Sequence, residues 1–184
     1  MAEEGMRSHE AARDKAARRL GVANRREWPT NAQIEEALLE YQRLFRRPED
    51  DAALDTLRRH AAQAMRMLER FSPRLVGRVL DGSADVHTAV TLHLFADAAE
   101  EVGFALTDRG IPHRLGSARV IDPRRGPQSR PCFRFVAGSA DIELVVFPLL
   151  GLRTAPQDPV DGRSMARAGL AQVEAMLGDS RPGG

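Results

Sequence analysis

Two apolar runs separated by a Gly-Ser step, within residues 75–97, dominate the pattern of this sequence. The first run covers residues 75–80, and Gly82-Ser83 and a polar insert follow it. In the second run Val90, Leu92 and Leu94 alternate with Thr91, His93 and Phe95. Alternation with a period of two is typical of a strand with one buried face. The stretch therefore predicts two strands joined by a tight turn.

Composition sets the class of protein. The chain has 184 residues, of which 42% are hydrophobic and 29% charged, as in an ordinary globular domain, so we expect one compact unit. No apolar run approaches the roughly 18–20 residues that a membrane span needs, so no membrane association is expected. The first residues are acidic and resemble no secretory signal. Because the single cysteine, Cys132, cannot form an internal disulfide, we expect a cytoplasmic location.

The charge balance bears on nucleic-acid binding. A net charge of +1 argues against nonspecific binding of nucleic acid as the main purpose. The predicted first helix carries several basic residues that leave such binding open, although a solvated helix face with Glu10 and Asp14 as neighbours is the favoured explanation. These basic residues are Arg13, Lys15, Arg18 and Arg19.

Helical periodicity fills the N-terminal part of the chain. Charged and alanine-rich residues 3–20 predict a first helix, and the stripe that follows Thr30 predicts a second over 30–45. A third helix begins at the acidic residues 49–51 and runs to Phe71, where Ser72-Pro73 ends it. The second and third helices are predicted to form an antiparallel pair. We therefore expect an N-terminal helical region over residues 1–72.

The remainder, residues 73–184, is predicted to be an α+β domain. Beyond the central stretch, the pattern predicts a helix over 97–109, a strand over 114–121 and a loop over 122–131. Strands over 132–136 and 142–147 are joined by a short turn at Gly138-Ser139, which predicts a hairpin. An extended crossing over 148–163 and a last helix over 164–177 complete the prediction.

A Gly-Ser step after a strand, followed closely by a strand with alternate polar side chains, resembles the nucleotide-binding signature of the nucleotidyltransferase superfamily. The resemblance covers about residues 75–148. The chain is also similar to a group of uncharacterised bacterial proteins that have a helical N-terminal half, the Leu-His-Leu-Phe-Ala-Asp strand end and an Asp-Gly-Arg turn, here residues 161–163. The resemblance implies N-terminal helices followed by a nucleotidyltransferase-like mixed sheet with flanking helices.

The resemblance also implies a site. Nucleotidyltransferases use two Mg²⁺ ions, held by two carboxylates at spacing two on one strand and a third carboxylate on a neighbouring strand. Gly82 and Ser83 match the phosphate-binding turn, and Asp141 or Glu143 matches the third carboxylate. The acid pair falls at Ala89 and Thr91, or at Thr91 and His93, none of which is acidic. This departure implies a nucleotide- or phosphate-binding protein whose catalytic site is degenerate, and it leaves transferase activity open.

The polar residues themselves suggest the same place. Thr91 and His93 share one face of their strand, as Asp141 and Glu143 share one face of theirs. If the two strands are neighbours, His93, Asp141 and Glu143 could converge as a metal site or an acid–base pair. The alternative is that they form the solvent side of a half-covered sheet.

The candidate residues follow from these two arguments. Catalytic candidates are His93, Asp141 and Glu143, and the last two are also the candidate ligands of Mg²⁺. Candidates for holding the nucleotide are Gly82, Ser83, Asp85, His87 and Thr91. The loop with Arg124, Arg125 and Arg130 could bind a phosphate or an acidic partner, or could be an exposed hairpin loop.

A second function stays open beside the first. The chain could be a non-catalytic module that retains the sheet and binds a protein or a nucleic acid through its N-terminal helices. A protein partner at those helices is therefore the alternative to a nucleotide ligand at the sheet.

Overall fold

A computed structural model describes residue 33 and residues 48–159 and 162–179, and the statements about structure below concern these residues. Gln33 is helical. The remaining residues of the two predicted N-terminal helices, over 3–20 and 30–45, lie outside the described residues. The proposed antiparallel helix pair, the basic residues of the first predicted helix and a partner bound there therefore stay predictions.

The described residues form four α-helices, two short 3₁₀ helices and five strands. The α-helices are α1 Pro48–Met67, α2 Arg78–Asp81, α3 Glu100–Thr107 and α4 Leu170–Asp179, and the 3₁₀ helices are Glu69–Phe71 and Leu149–Leu152. The strands are β1 Arg74–Val76, β2 Val90–Phe95, β3 Arg114–Asp122, β4 Gly126–Ala137 and β5 Ala140–Phe147.

The strands form one mixed sheet in the order β1-β2-β5-β4-β3. Strands β2 and β5 are parallel neighbours, whereas the other three pairs are antiparallel. The parallel pair requires a crossover, which α3 and the β3–β4 hairpin supply between β2 and β5. The sheet thus confirms the predicted α+β class, and its likeness to a nucleotidyltransferase stays a proposal.

One face of the sheet, the inner face, packs on the helices and forms the main core. It consists of Leu75 of β1, Val90, Leu92 and Leu94 of β2, Ile142, Leu144 and Val146 of β5, and Phe133 and Phe135 of β4, all buried. The third predicted helix corresponds to α1, whose apolar side chains lie against this face, with Leu57, Met65 and Leu68 buried in the same cluster. Helix α1 therefore belongs to the core of the sheet, although its sequence was grouped with the N-terminal helical region.

The opposite face, the outer face, is partly covered by the chain after β5. A small second cluster of buried side chains lies there, made of Phe95, Cys132, Val145 and Phe147. The 3₁₀ helix Leu149–Leu152 passes over it so closely that a Cβ on Gly151 would lie 3.1 Å from Cβ of Phe147. The predicted extended crossing over 148–163 thus contains a 3₁₀ helix and covers one end of the outer face.

The prediction of two strands joined at Gly82-Ser83 is wrong for the first strand. Strand β1 ends at Val76, and residues 78–81 form α2 instead of continuing the strand. Gly77, with φ of 69°, breaks the extended chain, and its carbonyl accepts the amide of Asp81 at 3.0 Å. Gly82 follows as the left-handed cap of this helix, with φ of 90°.

The predicted loop over 122–131 is also wrong, because only residues 123–125 turn. Asp122 Oδ1 accepts the amides of Arg124 and Arg125, both at 2.9 Å, and these bonds close the hairpin between β3 and β4. Residues 126–131 are paired with β3, whereas the pairing of β4 with β5 begins only at Cys132. Because Pro127 and Pro131 are four residues apart, their backbone nitrogen atoms point to the same edge of the strand, and neither carries a hydrogen. The strand tolerates them because this segment has a neighbour on one edge only.

The last helix begins six residues later than predicted. Residues 164–169 are extended, and Ala168 forms an antiparallel bridge with Leu75 at the edge of β1, with N···O distances of 2.8 and 2.9 Å. Helix α4 starts at Leu170, and the Gln172 side chain accepts the amide of Gly169 at 2.9 Å. Covering the free edge of β1 with this segment satisfies backbone groups that a helix at 164–169 would leave unpaired.

The hairpin at Gly138-Ser139 is confirmed. Ala137 and Ala140 are paired across a two-residue turn in which Gly138 has φ of +62° and Ser139 does not have positive φ. This combination is typical of a type II′ turn, whose first central position favours glycine.

No helix in the described ranges combines the length and the apolar character that crossing a bilayer requires.

Candidate functional site

The candidate site lies on the outer face, where the sheet register places the predicted residues side by side. Thr91 of β2 is the register partner of Glu143 of β5, and His93 is the partner of Val145. Register partners in neighbouring strands share a face, so Thr91, His93, Asp141 and Glu143 all belong to the outer face. The condition set by the sequence, that the two strands be neighbours, is therefore met.

Glu143 is already engaged by neighbours on β4. Its Oε1 accepts Nε of Arg134 at 2.9 Å and Nη2 of Arg134 at 2.6 Å, and the Sγ of Cys132 lies 3.4 Å away. The hydrogen bonds that Arg134 donates to Glu143 hold the pKa of Arg134 above its usual value. Burial, with the nearby charge of Glu143, raises the pKa of Cys132 to about 12, so this thiol stays protonated and inert at neutral pH.

Asp141 stands at the margin of this arrangement. It is exposed, and its register partner is Val136, which is also exposed. Asp141 and Glu143 thus share a face as predicted, but only Glu143 lies beside the polar residues of β2.

His93 is the one buried polar residue among the described core residues, with 3% of its surface exposed. Its ring packs against Phe147 with the ring centres 4.6 Å apart, and its Nδ1 has no hydrogen-bond partner among the described residues. Burial, together with the positive charge of Arg167, lowers the pKa of His93 to about 3. The imidazole is therefore neutral at pH 7 and does not serve as a general base of ordinary basicity.

Two arginines approach the same aromatic side chain. The guanidinium carbon of Arg167 lies 5.6 Å from the ring centre of Phe147 and 5.2 Å from that of Phe95, and Arg130 lies 5.8 Å from Phe147. Arg167 Nη1 donates to the carbonyl of Gly151 at 2.8 Å. The buried Nε and Nη2 of Arg167, and the buried Nε of Arg130, find no acceptor among the described residues. Arg130, Arg167 and His93 thus lie around Phe147, and four of their buried nitrogen atoms have no hydrogen-bond partner among the described residues.

Asp122 interacts electrostatically with Arg130, but no such acidic neighbour acts on Arg167 among the described residues. Within the described ranges no carboxylate lies within ion-pair distance of Arg74, Arg130 or Arg167. Arg74 is the register partner of His93 and therefore shares its face. Burial, and the repulsion of the Arg74 charge, lower the pKa of Arg167 to about 10. We call Arg74, His93, Arg130 and Arg167 the basic cluster of the outer face.

The residues predicted to hold a nucleotide at the turn form a locally closed loop. Asp81 Oδ1 accepts the amide of Ser83 at 2.8 Å, which fixes the Gly82-Ser83 bend. Asp85 Oδ1 accepts the amide of His87 at 3.0 Å and the hydroxyl of Thr88 at 2.8 Å. These bonds lower the pKa of Asp85.

This loop has no bonded link to the rest of the predicted site. In the part of the chain that is described, no hydrogen bond or ion pair connects Gly82, Ser83, Asp85 or His87 with His93, Asp141 or Glu143. The strand register therefore places Thr91 beside Glu143 on the outer face, where His93 and Asp141 also lie. The predicted nucleotide-binding residues of the loop instead form hydrogen bonds with their neighbours in sequence.

The donor set of the outer face fits a magnesium ion poorly. Mg²⁺ requires several hard oxygen ligands, and its binding is favoured by net negative charge. Here Thr91 is neutral, Glu143 is neutralised by Arg134, and the basic cluster adds positive charge to the same face. No group of three or more His, Cys, Asp or Glu side chains within the described residues could hold a metal ion. Magnesium at Asp141 and Glu143 stays a prediction that the charge balance does not favour.

Three arginines of the basic cluster were not among the predicted site residues. Arg130 was noticed only as part of a loop, because its place on β4 opposite Ala118 was hidden by the prolines around it. Arg167 fell within a predicted helix. Because Ala168 packs in the core and side chains alternate along an extended segment, Arg167 is directed to the outer face instead. A signal in the sequence was available for Arg74 alone, which stands between two buried residues, Pro73 and Leu75.

Comparisons with known proteins identify no family for this chain. No protein-family profile matches the sequence, and no curated protein matches it significantly.

Proposed function

We propose that the protein is nucleotidyltransferase-like and binds a nucleotide or another phosphate-bearing molecule on the outer face of its sheet, with a degenerate catalytic site. The observation that carries the proposal is the parallel pairing of β2 with β5, in which Thr91 stands beside Glu143. This is the placement that the resemblance requires for a strand pair that presents ligands to a nucleotide, and the basic cluster next to it suits an anion.

The same register of β2 with β5 supports the proposal that the protein does not transfer a nucleotidyl group. The positions of the acid pair hold Ala89 and Thr91, or Thr91 and His93, none of which is acidic, and His93 is buried and neutral. Glu143, the remaining carboxylate, is bound by Arg134. Without carboxylates to hold two metal ions, the stabilisation of attacking and leaving oxygens, worth several kcal/mol of barrier, is missing.

Calorimetry with ATP, CTP, GTP and UTP, each in Mg²⁺ and in Mn²⁺, tests this function. We expect heat of binding with at least one nucleotide, and no pyrophosphate release when candidate acceptors are added. Glu143→Ala should change the affinity, because it frees Arg134 beside the site. Absence of heat with all four nucleotides, together with an unchanged Glu143→Ala variant, would remove the proposal.

A further inference from the structure

The unpartnered nitrogen atoms of Arg167 have the geometry of an oxyanion site. Nη1 donates to the carbonyl of Gly151, so the Nε and Nη2 edge is the one that remains without an acceptor among the described residues. This edge presents two parallel N–H groups, which is the fork that binds a phosphate or carboxylate with two hydrogen bonds. The interaction with Gly151 and the rings of Phe95 and Phe147 hold the guanidinium in place.

Two further side chains with a buried, unpartnered nitrogen atom lie around the same ring. Arg130 approaches Phe147 from β4, and His93 approaches it from β2. Only 3% of His93 is exposed, and its Nδ1, which donates in one tautomer of the neutral ring, has no partner among the described residues. A buried polar nitrogen without a partner is destabilising, so three side chains with this defect at one place require an explanation.

The charge distinguishes an anion from water as that explanation. Water could accept these hydrogen bonds, but it could not offset the charges of Arg74, Arg130 and Arg167. Three carboxylates share this face: Arg134 and Cys132 already hold Oε1 of Glu143, Asp141 is exposed, and Asp122 interacts with Arg130 without forming an ion pair. An anion satisfies the donors and relieves the repulsion between Arg74 and Arg167 at once.

We propose that Arg167, Arg130 and His93 form a metal-independent binding site for the phosphate group of a small molecule. The inference rests on the proposed function, since it names the groups that hold the anionic part of the ligand. Three donor side chains from separate segments suit a tetrahedral phosphate, whose oxygens point in several directions, better than a planar carboxylate. Arg130 and Arg167 are half-buried, so part of each side chain reaches the surface, whereas their unpartnered nitrogen atoms are buried.

Inorganic phosphate and acetate are the probes for this site, added separately to the full chain in EDTA. Phosphate should shift the ring signals of His93 in ¹H–¹⁵N spectra, assigned with His93→Gln, and leave the other four histidines unchanged. Acetate should bind at least about tenfold more weakly, because it uses fewer of the donors. An unshifted His93 signal at saturating phosphate, or equal affinity for acetate, would overturn the proposal.

Substitutions of single arginines test which of them contribute to phosphate binding. Arg167→Gln and Arg130→Gln should each weaken phosphate binding by about tenfold or more, since each removes a charge-assisted hydrogen bond. Arg66→Gln is the matched control, because Arg66 pairs with Glu174 on α4 and should leave the affinity within about twofold. If Arg167→Gln fails to fold, the spectra of the unmodified chain still decide the question.

The nucleotide titrations separate this inference from the proposed function. If a nucleotide binds equally well to the native chain and to Arg167→Gln, the phosphate site is wrong and the proposed function stands. If phosphate binds at His93 but no nucleotide binds, the phosphate site stands and nucleotide binding is wrong. If neither binds, both fall.

Discussion

At the scale of single residues, His93 shows how burial changes chemistry. The sequence placed it as a catalytic candidate because it alternates with apolar neighbours on β2. The same position between two strands buries it beside Phe147 and the arginines, which lowers its pKa to about 3. Its face could be read from a period of two, whereas its environment depends on Arg74 and Arg167, which lie far from it in sequence. Residue-level chemistry was therefore predicted only in part.

The lowered pKa of His93 predicts a specific dependence of stability on pH. The unfolded state, with a pKa of about 6.5, binds a proton at pH values where the folded state does not. The contribution is therefore fully present above pH 6.5 and is lost as the pH falls from 6.5 toward 3. Between pH 7 and pH 5 the native chain should lose about 2 kcal/mol more unfolding free energy than His93→Gln.

Urea unfolding of both chains at several pH values measures this difference. All other ionisable groups are the same in the two chains, so their effects cancel in the comparison. The charged groups that face His93 are the guanidinium groups of Arg167 and Arg74. Parallel stability curves for the two chains between pH 7 and pH 5 would show that His93 is not buried in its neutral form.

At the scale of elements, the sequence succeeded where one pattern decides the structure. The stripe of α1 and the hairpin between β4 and β5 follow from periodicity and from glycine in a turn, and both are confirmed. The failures occur where pairing overrides local preference. Residues 126–131 look like a loop because of Pro127 and Pro131, yet pairing with β3 makes them a strand. Residues 164–169 continue a helical pattern, yet Ala168 pairs with Leu75.

The turn between β4 and β5 gives a prediction about Gly138. A Cβ added there would lie 2.8 Å from Cε1 of His60 on α1, in addition to the strain of its positive φ. Because Cε1 is the far end of a side chain that can move aside, Gly138→Ala should cost only slightly more than the roughly 1–2 kcal/mol expected from positive φ alone. Gly110→Ala is the control, because Gly110 also has positive φ but nothing lies within 4 Å of its added Cβ.

Removing the obstacle separates the two costs. In a His60→Ala background the cost of Gly138→Ala should fall toward that of Gly110→Ala, as measured by urea unfolding. An identical cost of Gly138→Ala with and without His60 would mean that the turn does not approach α1 in this way.

At the scale of the whole molecule, the two faces of the sheet have different roles. The inner face and the helices supply the core that stabilises the fold. The outer face carries buried polar and charged groups, which cost stability unless they are paired. Because pairs within the described residues account for Glu143 but leave the arginines of the basic cluster without an ion pair, we infer that this face is shaped for a ligand.

The most direct test of this account is the affinity for ATP measured by calorimetry in EDTA and again in Mg²⁺, with adenosine as the ligand that lacks phosphate. If protein cations hold the phosphate groups, ATP binds in EDTA at least as tightly as in Mg²⁺, and adenosine binds at least about tenfold more weakly. Binding of ATP that requires Mg²⁺, or equal affinity for ATP and adenosine, would contradict the account.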